Sequence, residues 1–173
     1  PGMDDSFAGV LMIGYHAMEG TSHGVLAHTY SPDAYRCIRV NGVEVGEMAL
    51  DAAAAGACGV PTVLVASDDH GCAEARRFMP WIETVETKQG LGRNVAFSKH
   101  PSKAAREIYD ATRRAIERIG ELRPFEFDKP TEVEIRFKRP HQALKARLRR
   151  RGWRLRGLWA IGRRLDDFSQ WRC

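Results

Sequence analysis

The sequence predicts an α/β fold, a layered sheet with flanking helices. Three observations predict it. Uninterrupted apolar runs at residues 7–14 and 62–66 have the character of strands buried on both faces. An alanine-rich stretch over 46–59 and an amphipathic one over 101–119 have helical patterning. The two kinds of segment alternate along the chain, as layered α/β domains require.

Taken in order, Phe7-Ala8-Gly9-Val10-Leu11-Met12-Ile13-Gly14 reads as the first buried strand and ends at Tyr15-His16. A loop of Gly, Thr, Ser and His occupies 19–24, and Val25–Tyr30 reads as extended up to a turn at Ser31-Pro32-Asp33. Tyr35–Val40 alternates as a strand does, and Asn41-Gly42 predicts a tight hairpin. Met48, Leu50 and Ala52–Ala55 make a helix whose small side chains permit close packing on a sheet, ended by Gly59 and Pro61. Thr62–Ala66 is a second buried strand. Ser67-Asp68-Asp69 supplies an N-cap for a helix running to Met79, closed by Pro80. Trp81–Thr87 reads as a short strand and Gly90-Leu91-Gly92 as a loop. Ala104, Ile108, Ala111, Ala115 and Ile119 fall near helical spacing in the Pro101–Ile119 helix, and Glu132–Phe137 alternates as a last strand.

The chain of 173 residues is long enough for one domain with a buried core, and its 43% hydrophobic and 28% charged content is ordinary for a globular protein. No apolar run approaches the ~18 residues that span a membrane. The start, Pro1-Gly2-Met3-Asp4-Asp5, has no signal-peptide pattern and reads as though it begins mid-protein. Cys37, Cys58, Cys72 and Cys173 stand far apart with no Cys-x-x-Cys pair, which suggests thiols filling space in a reducing, cytoplasmic setting. The net charge of +5 conceals an asymmetry: residues 1–135 hold 20 acidic against 14 basic side chains, and residues 136–173 hold 2 against 13.

His16, His23 and His28 lie beside a glycine-containing loop at the end of a predicted strand, where α/β sheets carry polar groups on a rigid base. Glu47 opens the alanine-rich helix, a place the helix dipole favours for a carboxylate. An imidazole and a carboxylate brought together suit zinc. No His-Glu-x-x-His is present, and His70, His100 and His141 have surface character, so on spacing alone ordinary loop histidines and a helix-start glutamate are the favoured reading over a metal site.

Longer stretches narrow the choice. Ile13-Gly14-Tyr15-His16-Ala17, Gly24-Val25-Leu26-Ala27-His28-Thr29, Val40-Asn41-Gly42, Val45-Gly46-Glu47, Gly59–Val65 with Asp68-Asp69, Thr87–Arg93 and Leu122-Arg123-Pro124-Phe125 follow one another in register. Over residues 3–140 this series resembles the zinc-dependent D-aminopeptidase family of dipeptide transport operons. The resemblance implies a D-aminopeptidase-like domain at 1–140, followed by a basic, divergent segment at 141–173. It implies that His16 and Glu47 bind one zinc of a pair, that His28 acts in the chemical step, and that Asn41 lies near substrate. His23 is read as a loop residue. Short peptides with an N-terminal D-amino acid are the implied substrate, with activated water attacking the peptide carbonyl. Like chains are expected to assemble into pentamers or decamers.

The family's Ser-x-Asp-x-Glu-Gly and Asp-Ser-His motifs, which supply the bridging aspartate and the other zinc's ligands, do not occur in this sequence. The expectation is therefore a truncated form of the family fold, with ligands for one ion, weak metal binding and little peptidase activity as an isolated chain. Two readings from other classes stand beside it. Arg149-Arg150-Arg151 with Trp153, Trp159 and Trp171 pairs cations with aromatics, as single-strand nucleic-acid binders do, although a solvated basic helix is the plainer account. The chain is alternatively a non-catalytic remnant that assembles with its copies.

Overall fold

The computed structural model describes residues 2–171, and Cys173 lies outside the described residues. Along the chain run β1 (Val10–Ile13), β2 (Tyr35–Val40), β3 (Val43–Val45), α1 (Glu47–Gly56), β4 (Thr62–Asp68), α2 (Asp69–Phe78) and β5 (Glu83–Gly92). Then follow β6 (Val95–Ser98), α3 (Pro101–Glu117), β7 (Thr131–Phe137), α4 (Pro140–Arg149), β8 (Arg154–Leu155) and β9 (Ala160–Leu165).

The strands form two sheets. The first has the order β1-β4-β5-β6, parallel except for β6. β4 is buried at every residue, which explains its unbroken apolar run: it has a neighbour on each side and a layer over each face. β1 is an edge of this sheet, and its Leu11 and Ile13 are exposed. The second sheet, β3-β2-β7-β9-β8, is antiparallel throughout. Asn41 and Gly42 join β2 to β3 with φ of 49° and 82°, the pair of positive values that a tight hairpin of this hand demands.

One apolar cluster takes residues from both sheets, Met12 and Val65 from the first, Ile38, Val40, Val133 and Ile135 from the second, with Met48, Ala49, Leu50, Ala52 and Ala53 of α1 among them. α1 is therefore buried around most of its circumference, which its alanines make possible. A second cluster packs Ala111 and Ala115 of α3 on Val63, Leu64, Ala66 and Val85 of the first sheet.

Three expectations need correction. Val25–Tyr30 is not extended: Leu26 and Tyr30 have φ of 52° and 54°, and the amides of this stretch are satisfied one at a time, Leu26 by Arg93 O, His28 by Ala17 O, Val25 by the buried Asp68 carboxylate and Tyr30 by the partly buried Glu47 carboxylate. Gly90-Leu91-Gly92 is not a loop but the end of β5, paired with β6, because the missing Cβ of Gly90 admits the carbonyl of His23. Past Pro140 the chain is not one basic helix: α4 and a short 3-10 turn at Phe168–Gln170 are its helical parts. β9 lies between β7 and β8, and Trp153, Phe168 and Trp171 join the main core. Burial of Trp153 and Trp171 removes two of the three aromatic faces that a base-stacking tail needs.

Candidate metal centre

The first sheet delivers His16. β1 ends at Ile13, Gly14 N–H donates to Ala66 O, and Ser67 Oγ donates to Tyr15 O at 2.6 Å, so the chain leaves the sheet in a fixed direction. His28 arrives on the irregular 25–30 segment. Its amide reaches back to Ala17 O, next to His16. Buried Asp68 holds this segment from below: Oδ2 accepts Val25 N–H at 2.7 Å while Oδ1 caps α2 through Gly71 N–H. Glu47 is the first residue of α1.

These three side chains converge. The His16 and His28 rings stack with centroids 3.8 Å apart and planes 19° from parallel. Nε2 of each ring lies 3.7 Å from Glu47 Oε1, and one ligand atom from each residue falls within 4.8 Å of the others. All three are partly buried, with solvent at one side.

Hydrogen bonds settle which nitrogen each ring presents. His28 Nδ1 donates to Leu26 O at 2.7 Å and His16 Nδ1 to Ala17 O at 3.1 Å. A carbonyl only accepts, so each Nδ1 carries a proton, and Nε2 is the nitrogen that each ring turns toward the carboxylate. Glu47 is oriented in turn, with Oε1 accepting Tyr30 N–H at 2.6 Å. His16 Nε2 and Glu47 Oε1, each braced from behind, are donors of the kind zinc takes, and His28 Nε2 stands beside them as a third nitrogen able to meet the ion or to carry a proton.

An outer layer ties these parts together. Tyr15 and Tyr30 donate their hydroxyls to the two oxygens of Asp51, at 2.9 and 2.7 Å. Burial, and then the Asp51 charge, hold the Tyr15 phenol well above its ordinary pKa, so it stays a donor. Sequence reasoning passes over Tyr15, Tyr30 and Asp51. The available signal is Asp51's place one helical turn beyond Glu47, on the same face of α1.

The other expected residues lie elsewhere. Asn41 sits in the β2–β3 turn, outside the cluster. Its Nδ2 donates to Asp128 O at 2.8 Å and its Oδ1 accepts Glu132 N–H at 2.7 Å, so both ends of the amide bind backbone. His23 is an exposed loop residue whose Nδ1 donates to Leu91 O. Asp68, Asp69 and His70 also bring ligand atoms together, but the Asp68 oxygens serve Val25 and Gly71 N–H, and Asp69 Oδ1 serves Gly90 N–H and His70.

Comparison with known proteins bears on this cluster. The family described as D-aminopeptidase, a peptidase family, matches residues 1–157. The chain belongs to the D-aminopeptidase family. A D-aminopeptidase of Bacillus subtilis (strain 168) is 33% identical over 147 residues, 85% of this chain and 53% of the relative. The solved structure of the zinc-dependent D-aminopeptidase DppA from Bacillus subtilis, described as a self-compartmentalizing protease, superposes with a TM-score of 0.90 at 30% identity. That match covers 98% of this chain and 61% of the other, so this D-aminopeptidase family chain spans between half and two thirds of the relatives it resembles.

Proposed function

We propose that this chain carries a zinc centre of an aminopeptidase that hydrolyses short peptides, with D-residues preferred at the amino terminus. The observation that carries the reading is the convergence of His16 Nε2, His28 Nε2 and Glu47 Oε1 within ligand distance, in a member of a family described as D-aminopeptidase. His16 and Glu47 hold the ion. When bound, zinc supplies Lewis-acid polarisation of the scissile carbonyl and activation of the attacking water.

The chain's own residues do the rest. His28, with Nδ1 committed to Leu26 O, turns Nε2 to the centre. It takes at Nε2 the proton that the attacking water gives up and delivers it to the leaving amine. Stacking on His16 limits the ring's rotation, and the Leu26 carbonyl stabilises the ring while it is cationic. Tyr15, Tyr30 and Asp51 keep the ligands from drifting as charge changes.

The cluster serves a single ion, so the proposal is one zinc per chain and slow turnover by the isolated chain. Self-association follows from the same reading, since the matched zinc-dependent relative is described as self-compartmentalizing; closed rings of this chain, pentamers or decamers, are the form proposed. Metal analysis with hydrolysis of D-alanyl-D-alanine against L-alanyl-L-alanine tests the function. One zinc per chain and faster release of D-alanine support it. A metal-free chain that cleaves neither dipeptide sinks it.

A further inference from the structure

Glu74 projects from α2 into the interior and is 6% exposed. Its Oε2 accepts Met18 N–H at 2.7 Å, two residues past His16. Its Oε1 is buried and lies against Gly46, the residue immediately before Glu47. A Cβ at position 46 would collide with that oxygen, so the absence of a side chain there is what lets the carboxyl sit under the start of α1. No salt bridge reaches Glu74 among the described residues. Burying such a group is costly, and in this place it does one geometric task.

We propose that Glu74 is a positioning residue of the metal centre, whose carboxyl fixes the spacing between the His16 segment and the N-terminus of α1, and hence between His16 and Glu47. The inference rests on the reading of those two residues as metal ligands. Between Tyr15 and His28 the chain has no strand or helix to hold it. Past the Ser67 contact to Tyr15 O, Met18 N–H on Glu74 is the bond that anchors the His16 side of the loop to a helix. The same carboxyl then meets the backbone that launches Glu47. One rigid group thus touches both ligand-bearing segments without touching either ligand, which is how outer-layer groups set metal affinity.

The test is zinc affinity of the full chain, measured by competition with a chromophoric chelator at a temperature where circular dichroism shows each variant folded. Glu74→Ala removes the tether, and Glu74→Asp shortens it out of reach of Met18. Both are expected to weaken zinc binding about 10- to 100-fold. Should the alanine variant not fold, the aspartate variant carries the same prediction. Glu74→Gln keeps an oxygen for Met18 N–H and is expected to bind as the wild type does. Met79→Ala, a fully buried residue at the end of the same helix, is the stability control: it lowers the melting temperature and leaves zinc affinity unchanged. Wild-type affinity in the aspartate variant, or equal loss in Met79→Ala, overturns the inference. Absence of zinc binding by the wild-type chain overturns the metal-centre reading and this inference with it, a result distinct from wild-type binding with an indifferent Glu74.

Discussion

His16 and His28 lie ring on ring, centroids 3.8 Å apart, and both direct Nε2 at the same oxygen of Glu47. The arrangement gives two chemically equal nitrogens, for which we propose different work: His16 binds the ion and His28 moves the proton. His28→Ala should therefore retain zinc while peptide hydrolysis falls by about 10²-fold or more. Parallel metal analysis and dipeptide assays check this. A His28→Ala chain as metal-poor as His16→Ala would make His28 a ligand instead.

Asp51 accepts from two phenols that flank the site histidines in sequence. Asp51→Ala leaves both hydroxyls without their acceptor and should cost about 2–4 kcal/mol, since bonds to a charged partner are worth roughly 1.5–3 kcal/mol each and the losses overlap. Urea denaturation of the apo chain reads this directly. Zinc affinity should fall about 10-fold as the ligand-bearing segments loosen. Tyr30→Phe, which removes one bond and leaves Tyr30 N–H on Glu47, should show a smaller effect on both.

Much of the fold is legible in the sequence because local rules and tertiary structure agree there. Asn41-Gly42 makes the turn its chemistry favours, and α1 and β4 show composition matched to close packing and double-sided burial. The 25–30 segment is not legible, since its conformation is set by bonds to Asp68, Arg93 and Glu47, distant in sequence. Gly90 misleads in the same way: it looks like loop chemistry, and its reason is the carbonyl of His23. At the site, His16, His28 and Glu47 were readable from their resemblance to family motifs, and the structure brings them together. Tyr15, Tyr30, Asp51 and Glu74 were not, because a supporting residue is defined by what it touches and carries no motif of its own.

Glu74 also predicts a pH dependence. Burial pushes its carboxyl up to about 7, with Met18 N–H, Arg77 and the Gly46 backbone opposing the rise and Asp68 adding to it. Below about pH 4.5 the group is neutral whether the chain is folded or not. As pH climbs from there to about 7, the unfolded chain gives up this proton first, so the folded state loses stability across that window and stays lower above it. The expected loss is on the order of 3 kcal/mol, and Glu74→Gln should remove the slope and be the more stable protein at pH 8. Urea midpoints from pH 4.5 to 8 test the sign. A wild-type curve no steeper than that of the glutamine variant would contradict it.

Gly56 offers a test of tertiary packing against local propensity. It ends α1, and a Cβ there would strike the backbone carbonyl of Phe125. On propensity alone Gly→Ala in a helix gains about 0.5–1 kcal/mol. Collision with backbone should reverse the sign, with Gly56→Ala destabilised by about 1–3 kcal/mol. A more stable alanine variant would mean that the Phe125 backbone does not pack against the end of α1.

The most direct measurement is a zinc titration of the wild-type chain beside His16→Ala and Glu47→Ala, followed by metal analysis after gel filtration. One zinc per wild-type chain, lost in both variants while each still folds, is the predicted result. Zinc content that survives both substitutions would place the ion elsewhere and contradict the account.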